Sequence, residues 1–267
     1  MLSNRVVLIT GAGGGIGRGI AQAVMKRGAA VIVTDVDAAS ADGTAKILAD
    51  EYDAEDVMAA AMDITDRDAV ADTIEAGVAR FGKIDGLVNN AAVLADPGPL
   101  LDSDPAKRQK EVEVNLGGTI ICSQAFVRQV IKQKTGGNIV NLASEGGLRA
   151  HVMMANYSVT KAGVINLTQA QSAEWCRYGI NVNAICPGGI HTDMLQAAAE
   201  AKSTNSDRTA TALRETWIAP QLGRKMEAIE VGYVAAFLLS EEAVLIRGQA
   251  IRVSGGLEHE NLQDYET

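Results

Sequence analysis

Short runs of β-branched and aliphatic residues alternate along this chain with helix-length segments, and that rhythm constrains the fold more than any other feature. Strand-like runs fall at Val6 to Thr10, Ala30 to Asp35, Val57 to Met62, Gly86 to Asn89, Asn138 to Leu142, Asn181 to Ile185 and Ala250 to Val253. Helical patterns fill the spaces between them, the first from Gly17 to Arg27 and the second from Ala38 to Glu51. Repetition of strand, long crossover and strand predicts a mostly parallel sheet with helices on both faces. The expectation is an α/β fold in which residues 1–267 form a single domain around a doubly wound sheet of seven strands. No Pro/Ser-rich linker and no internal period divides the chain.

The rhythm breaks from Asp193 to about Met226, an Ala-rich polar stretch carrying Leu195, Leu213, Trp217 and Ile218. This segment, 193–226, reads as an inserted helical flap over a binding site, with a solvated connection as the alternative. Residues 258–267 are polar and acidic and read as a tail, either disordered or in contact with a neighbouring subunit.

Bulk properties exclude several function classes. A formal net charge of -9 spread along the chain argues against nucleic acid, whose phosphates demand clustered Lys and Arg. Cys122, Cys176 and Cys186 are odd in number and lack a Cys-x-x-Cys spacing, which points to neither a disulfide framework nor a zinc site. His151, His191 and His259 are scattered, so no metal is expected. The N-terminus enters a strand-like run almost at once, and no run of ~18 or more apolar residues occurs. A reduced, cytoplasmic setting away from membranes is the expectation, with a small molecule as substrate.

Two constellations carry chemistry. The first strand runs into Thr10-Gly11-Ala12-Gly13-Gly14-Gly15-Ile16-Gly17 and then into a helix starting near Gly15. Glycines there let the backbone turn tightly, approach a pyrophosphate and present helix N-terminal N–H groups to its charge. Asp35 ends the second strand, where a carboxylate can accept both hydroxyls of an adenosine ribose and repel a 2′-phosphate, so NAD is expected over NADP. The alternative for Asp35 is a helix cap or turn residue. The second constellation is Tyr157 and Lys161, which share one helix face, with Ser144 upstream at the end of an apolar run. A free phenol is a poor base at neutral pH, and a cation at ~4 to 5 Å would favour the phenolate by roughly 3 to 4 kcal/mol at an effective dielectric of ~20. Ser144 is placed to hydrogen-bond a substrate oxygen on which charge develops, with a turn serine as the alternative.

From Val6 to Gly256 the chain resembles the short-chain dehydrogenase/reductase family, whose members have a Rossmann fold. The glycine run looks like that family's Thr-Gly-x-x-x-Gly-x-Gly element, and Asp63-Ile64 like its adenine-contacting pair. Asn89-Asn90-Ala91-Ala92 is similar to its Asn-Asn-Ala-Gly motif, with Ala92 in place of the usual Gly. Asn115, Ser144, Tyr157 and Lys161 match its catalytic tetrad, and Pro187-Gly188-Gly189-Ile190-His191-Thr192 the segment that meets the nicotinamide. Ser254 stands where many members have Asp.

The resemblance implies hydride transfer between an alcohol and NAD with Tyr157 as acid–base, Lys161 also binding the nicotinamide ribose, and Asn115 holding a relay water. By itself Asn115 reads as a helix-kinking or core amide, and Thr192 as a helix N-cap instead of a carboxamide ligand. The resemblance also implies a homotetramer or homodimer, joined through helices near Ala106 to Ile131 and Tyr157 to Arg177.

The resemblance implies that the segment between Ser144 and Tyr157 and the loop after Asn90 border the substrate. Contacts are therefore expected from Glu145, His151 and Met154, from Arg149 and Met153 in the same loop, from Val93 and Leu94, and from Leu195 and Trp217 of the flap. Solvated loop residues are the alternative for Glu145, Arg149 and His151. Such polar groups among flexible apolar ones suit a polyol, sugar or small hydroxy acid. A 3-oxoacyl-carrier-protein reductase is the rival enzyme, and an NAD(H)-binding redox sensor is the rival from outside catalysis.

Overall fold

The computed structural model describes residues 1–203, 209 and 224–256. Seven strands form one sheet: β1 Val6–Ile9, β2 Ala30–Asp35, β3 Val57–Ala61, β4 Gly86–Asn89, β5 Gly137–Leu142, β6 Ile180–Pro187 and β7 Ala250–Val253. Their order is β3-β2-β1-β4-β5-β6-β7. Every pairing is parallel, with Val7 beside Val31 on one side and Gly86 on the other. This is the doubly wound α/β fold expected from the rhythm. The strand order reverses between β1 and β4, and in such sheets ligands bind outside the carboxyl ends of the strands at that point.

Nine α-helices are placed among the described residues: α1 Gly15–Met25, α2 Ala38–Glu51, α3 Arg67–Phe81, α4 Pro105–Val112, α5 Thr119–Gln133, α6 Glu145–Leu148, α7 Ala155–Trp175, α8 Asp193–Ser203 and α9 Ala228–Leu238. Their starts follow local chemistry. Asp37 caps α2, Asp66 caps α3, and Asp104 caps α4 directly before Pro105, each accepting from backbone N–H groups of its first turn.

Alternation along the strands divides the core. Val7, Ile9, Val31, Val33, Val140 and Ile185 face α1, α2 and α9, where Ile20, Val24, Leu48, Val231 and Leu238 are buried. Val6, Leu8, Ile32, Leu87, Ile139 and Val182 face α3 and α5, where Ile74, Phe126 and Val130 are buried. Ala184 and Cys186 continue that second face under Val164 of α7. The α1–α9 crossing is close because Gly19 and Gly232 lack a Cβ there: one added at Gly19 would lie 2.7 Å from Ala228 Cβ, and one added at Gly232 2.7 Å from Ala23 Cβ.

The interval expected to be a flap is described at its two ends only. α8 opens it, and Met226 closes it by bridging Ile190 in parallel and burying its side chain in the core. Trp217, Leu213 and Ile218 lie outside the described residues, as do residues 258–267.

Candidate active site

The carboxyl ends of six strands converge on one cleft of about 390 Å³. Gly11, Gly14, Gly15 and Ile16 line it from the β1 turn, Asp35 from β2, Asp63 and Ile64 from β3, and Asn90 and Ala91 from β4. Tyr157, Lys161, Pro187 and Thr192 close it. Gly13 and Gly17 lie just behind. Gly13 N donates to Asp35 Oδ2 at 3.0 Å. A Cβ on Gly17 would collide with Gly11 O and lie 2.6 Å from Asn90 Nδ2. Asn90 in turn ties the glycine turn to β4, its Nδ2 donating to Thr10 O at 2.9 Å and Gly11 O at 2.8 Å. The turn is therefore held rigidly with its cradle open, while α1 starts at Gly15 with no acidic residue in its first turn and no side-chain cap. That arrangement suits an anionic pyrophosphate. Asp35 also accepts from Asp37 N at 3.1 Å, so it serves a turn as well as facing the cleft. Hydrogen bonds from the Thr65 backbone and hydroxyl hold the Asp63 carboxyl below the usual range.

A second pocket of about 120 Å³ adjoins the first. Ser144, Glu145, His151, Met154, Gly188, Ile190 and Leu195 line it, and Tyr157 lines both. Four of the five expected substrate residues thus meet in one place. Arg149 and Met153 do not line this pocket, and Val93 lines the larger cleft instead. Met194 and Ala198 on the pocket side and Lys110 and Val114 on the cleft side were not expected from the sequence; the i, i+4 spacing that puts Lys110 and Val114 on one helix face was the available signal.

Tyr157 is buried on α7, and the Ser144 side chain acts on its phenol to lower the pKa. Ser144 caps α6, its Oγ accepting from Gly146 N at 3.0 Å. Lys161 Nζ donates to Leu142 O at 2.7 Å and stands 5.7 Å from the Tyr157 ring centroid. The electrostatics depart from expectation. Burial pushes the Tyr157 phenol up to about 12, outweighing the lowering by Ser144, and Glu111 adds a further upward push. Burial also lowers Lys161 to about 8. Desolvation penalises phenolate and ammonium alike, so the pair does not by itself hold Tyr157 ready as a base.

Asn115 matches its reading as a core amide at a helix irregularity, and Thr192 its reading as a helix N-cap. A π-helical turn, Glu113–Gly118, interrupts the path from α4 to α5 and contains Asn115. The Asn115 amide is satisfied in the interior, with Oδ1 accepting from Val93 N at 2.8 Å and Nδ2 donating to Val93 O at 2.9 Å. Thr192 Oγ1 accepts from Leu195 N at 3.3 Å at the start of α8 while lining the cleft.

A family model described as "Enoyl-(Acyl carrier protein) reductase" matches residues 11–258. Sorbitol dehydrogenase of Cereibacter sphaeroides is 36% identical over 96% of this chain and 98% of its own length. Levodione reductase of Leifsonia aquatica is 34% identical over 95% and 94%. Among solved structures, NAD+-bound xylitol dehydrogenase superposes with a TM-score of 0.87 at 27% identity, over 96% of this chain and 99% of the other. The chain belongs to the short-chain dehydrogenase/reductase family of oxidoreductases.

Proposed function

We propose that this protein is an NAD(H)-dependent oxidoreductase acting on a secondary alcohol of the polyol or sugar class, with Tyr157 as its acid–base. The observation that carries this reading is the placement of Tyr157, which lines the large cleft and the small pocket at once. A proton acceptor there serves a carbinol in the pocket next to a nicotinamide in the cleft.

The residues fit NAD. Asp35 would take the adenosine ribose hydroxyls and oppose a 2′-phosphate, and the N–H groups at Gly14 and Gly15 would meet the pyrophosphate. Asp63 and Ile64 would border the adenine, with Asn90 and Ala91 further along. Lys161 would hold the nicotinamide ribose, and Pro187, Gly188, Ile190 and Thr192 the nicotinamide itself. When bound, the oxidised cofactor supplies the hydride acceptor and a positive charge.

Tyr157 Oη takes the hydroxyl proton as the carbinol carbon gives up its hydride, and returns it when a ketone is reduced. Ser144 hydrogen-bonds the same oxygen and stabilises charge developing on it. Lys161, fixed by Leu142 O, keeps an ammonium beside the phenol. Glu145 and His151 supply polar contacts for neighbouring hydroxyls, consistent with the polyol substrates named for the sorbitol and xylitol enzymes. The flap, whose opening helix α8 carries Leu195, would cover the substrate.

A panel of polyols, sugars, hydroxy acids and acyl thioesters, each assayed by NADH absorbance with NAD and NADP, tests the reading. Oxidation of a polyol with NAD is expected; turnover of acyl thioesters alone, or with NADP alone, would overturn it. Self-association is also inferred, because Val112, Ile131 and Val159 expose apolar surface on α4, α5 and α7. A light-scattering mass equal to one chain would contradict that.

A further inference from the structure

The loop 90–98, between β4 and α4, is fastened along its whole length. Thr10 Oγ1 accepts from Asn90 N and Ala91 N, each at 3.0 Å. The Asn115 amide then brackets Val93. Next, Glu111 Oε1 accepts from Ala95 N at 2.7 Å and Asp96 N at 3.2 Å. Beyond it, Asp96 Oδ2 accepts from Asn156 Nδ2 at 3.1 Å, and Gly98 N donates to Met153 O at 2.9 Å. Asn156 precedes Tyr157 on α7, and Met154 lines the small pocket. The far half of the loop therefore braces the start of the catalytic helix.

Glu111 is the unexpected member of this series. It sits on α4 one turn before Asn115 and is 0% exposed. A carboxyl taken fully out of water is costly to keep, and burial pushes its pKa up against the lowering by the two backbone N–H groups. Its Oε2 has no hydrogen-bond partner among the described residues. A leucine would fill similar space without that cost, so what the position supplies is the acceptor.

We propose that Glu111 is a positioning residue of the active site, clamping Ala95 and Asp96 to α4 so that the loop braces the Met153–Asn156 segment and fixes the pocket wall beside Tyr157. The near half of the loop, held by Thr10 and Asn115, stays in place without it. Loss of the clamp therefore acts on the alcohol and not on the cofactor.

This inference rests on the proposed function for its kinetic arm alone. In the full-length protein, Glu111→Leu removes the acceptor and Glu111→Gln keeps one. Glu111→Leu should speed amide exchange at Ala95 and Asp96 by at least about tenfold and leave Asn90 and Ala91 protected. It should also raise KM for the best polyol of the panel by roughly tenfold, with NADH affinity within about twofold of the wild type. Glu111→Gln should restore both. Unchanged exchange at Ala95 and Asp96, a failure of Gln to restore it, or an equal loss of NADH affinity would overturn the proposal. Should Glu111→Leu fail to fold, exchange in Glu111→Gln and in Asn156→Ala decides: the first must stay protected and the second must loosen Asp96. If the wild type oxidises no polyol, the functional reading fails while exchange still decides the clamp.

Discussion

Lys161 donates from Nζ to the Leu142 carbonyl at 2.7 Å, at the carboxyl end of β5, in the buried layer between the sheet and α7. That bond orients the side chain, yet it only partly replaces water, and Lys161 titrates at about 8 instead of 10.5. A lysine whose folded pKa is lowered makes the unfolded chain the better proton binder between these values, so its contribution to stability rises with pH across that window and is lost as pH falls through about 8. Relative to Lys161→Met, the wild type should gain stability from pH 8 to 10.5, by up to a few kcal/mol. Denaturant titrations of both proteins at several pH values check this.

With Tyr157 in the proposed acid–base role, its pKa, pushed up to about 12 by burial, gives the rate profiles a direction. Oxidation would then need the phenolate and should accelerate as pH rises, whereas ketone reduction would need the phenol and should be favoured at lower pH. Initial rates in both directions between pH 6 and 10 read the effect; parallel profiles would contradict it.

Asp35 presents a carboxylate to the cleft while holding Gly13 N at 3.0 Å. Asp35→Asn keeps an acceptor for that N–H but removes the charge opposing a 2′-phosphate. The ratio of NADP to NAD dissociation constants, measured by fluorescence titration, should fall by about tenfold or more.

Glycines in the cradle differ sharply in what they tolerate. Gly14 has extended backbone at φ -167 and nothing within 4 Å of an added Cβ, so Gly14→Ala should change stability by no more than about 0.5 kcal/mol. Gly17→Ala drives a methyl into Gly11 O and onto Ala12 Cα at 2.8 Å, and should cost about 2 kcal/mol or more. Thermal melts of the two variants separate the cases.

The sheet was legible because strands buried on both faces leave apolar runs, as at Ala30–Asp35 and Gly86–Asn89, which have the bounds read from sequence; Ala250–Val253 at the sheet edge has them too, although its Arg252 is exposed. Boundaries drifted where polar or Pro residues continue a strand, as at Pro187, which pairs with Val253 at the end of β6. The glycine turn, Asp35, Ser144, Tyr157 and Lys161 were legible because each follows or faces a strand end in a recognisable order. The electrostatic state of Tyr157 was not, since spacing along a helix reveals a neighbour but not the desolvation that outweighs it. Glu111 was equally hidden. On a polar helix it reads as one more exposed acid, and only the returning loop buries it.

The most direct measurement of the central claim is Tyr157→Phe assayed beside the wild type for NADH production from the best polyol, together with NADH affinity. The account predicts retained cofactor binding and a fall in kcat of at least about a hundredfold; undiminished kcat would contradict Tyr157 as the acid–base.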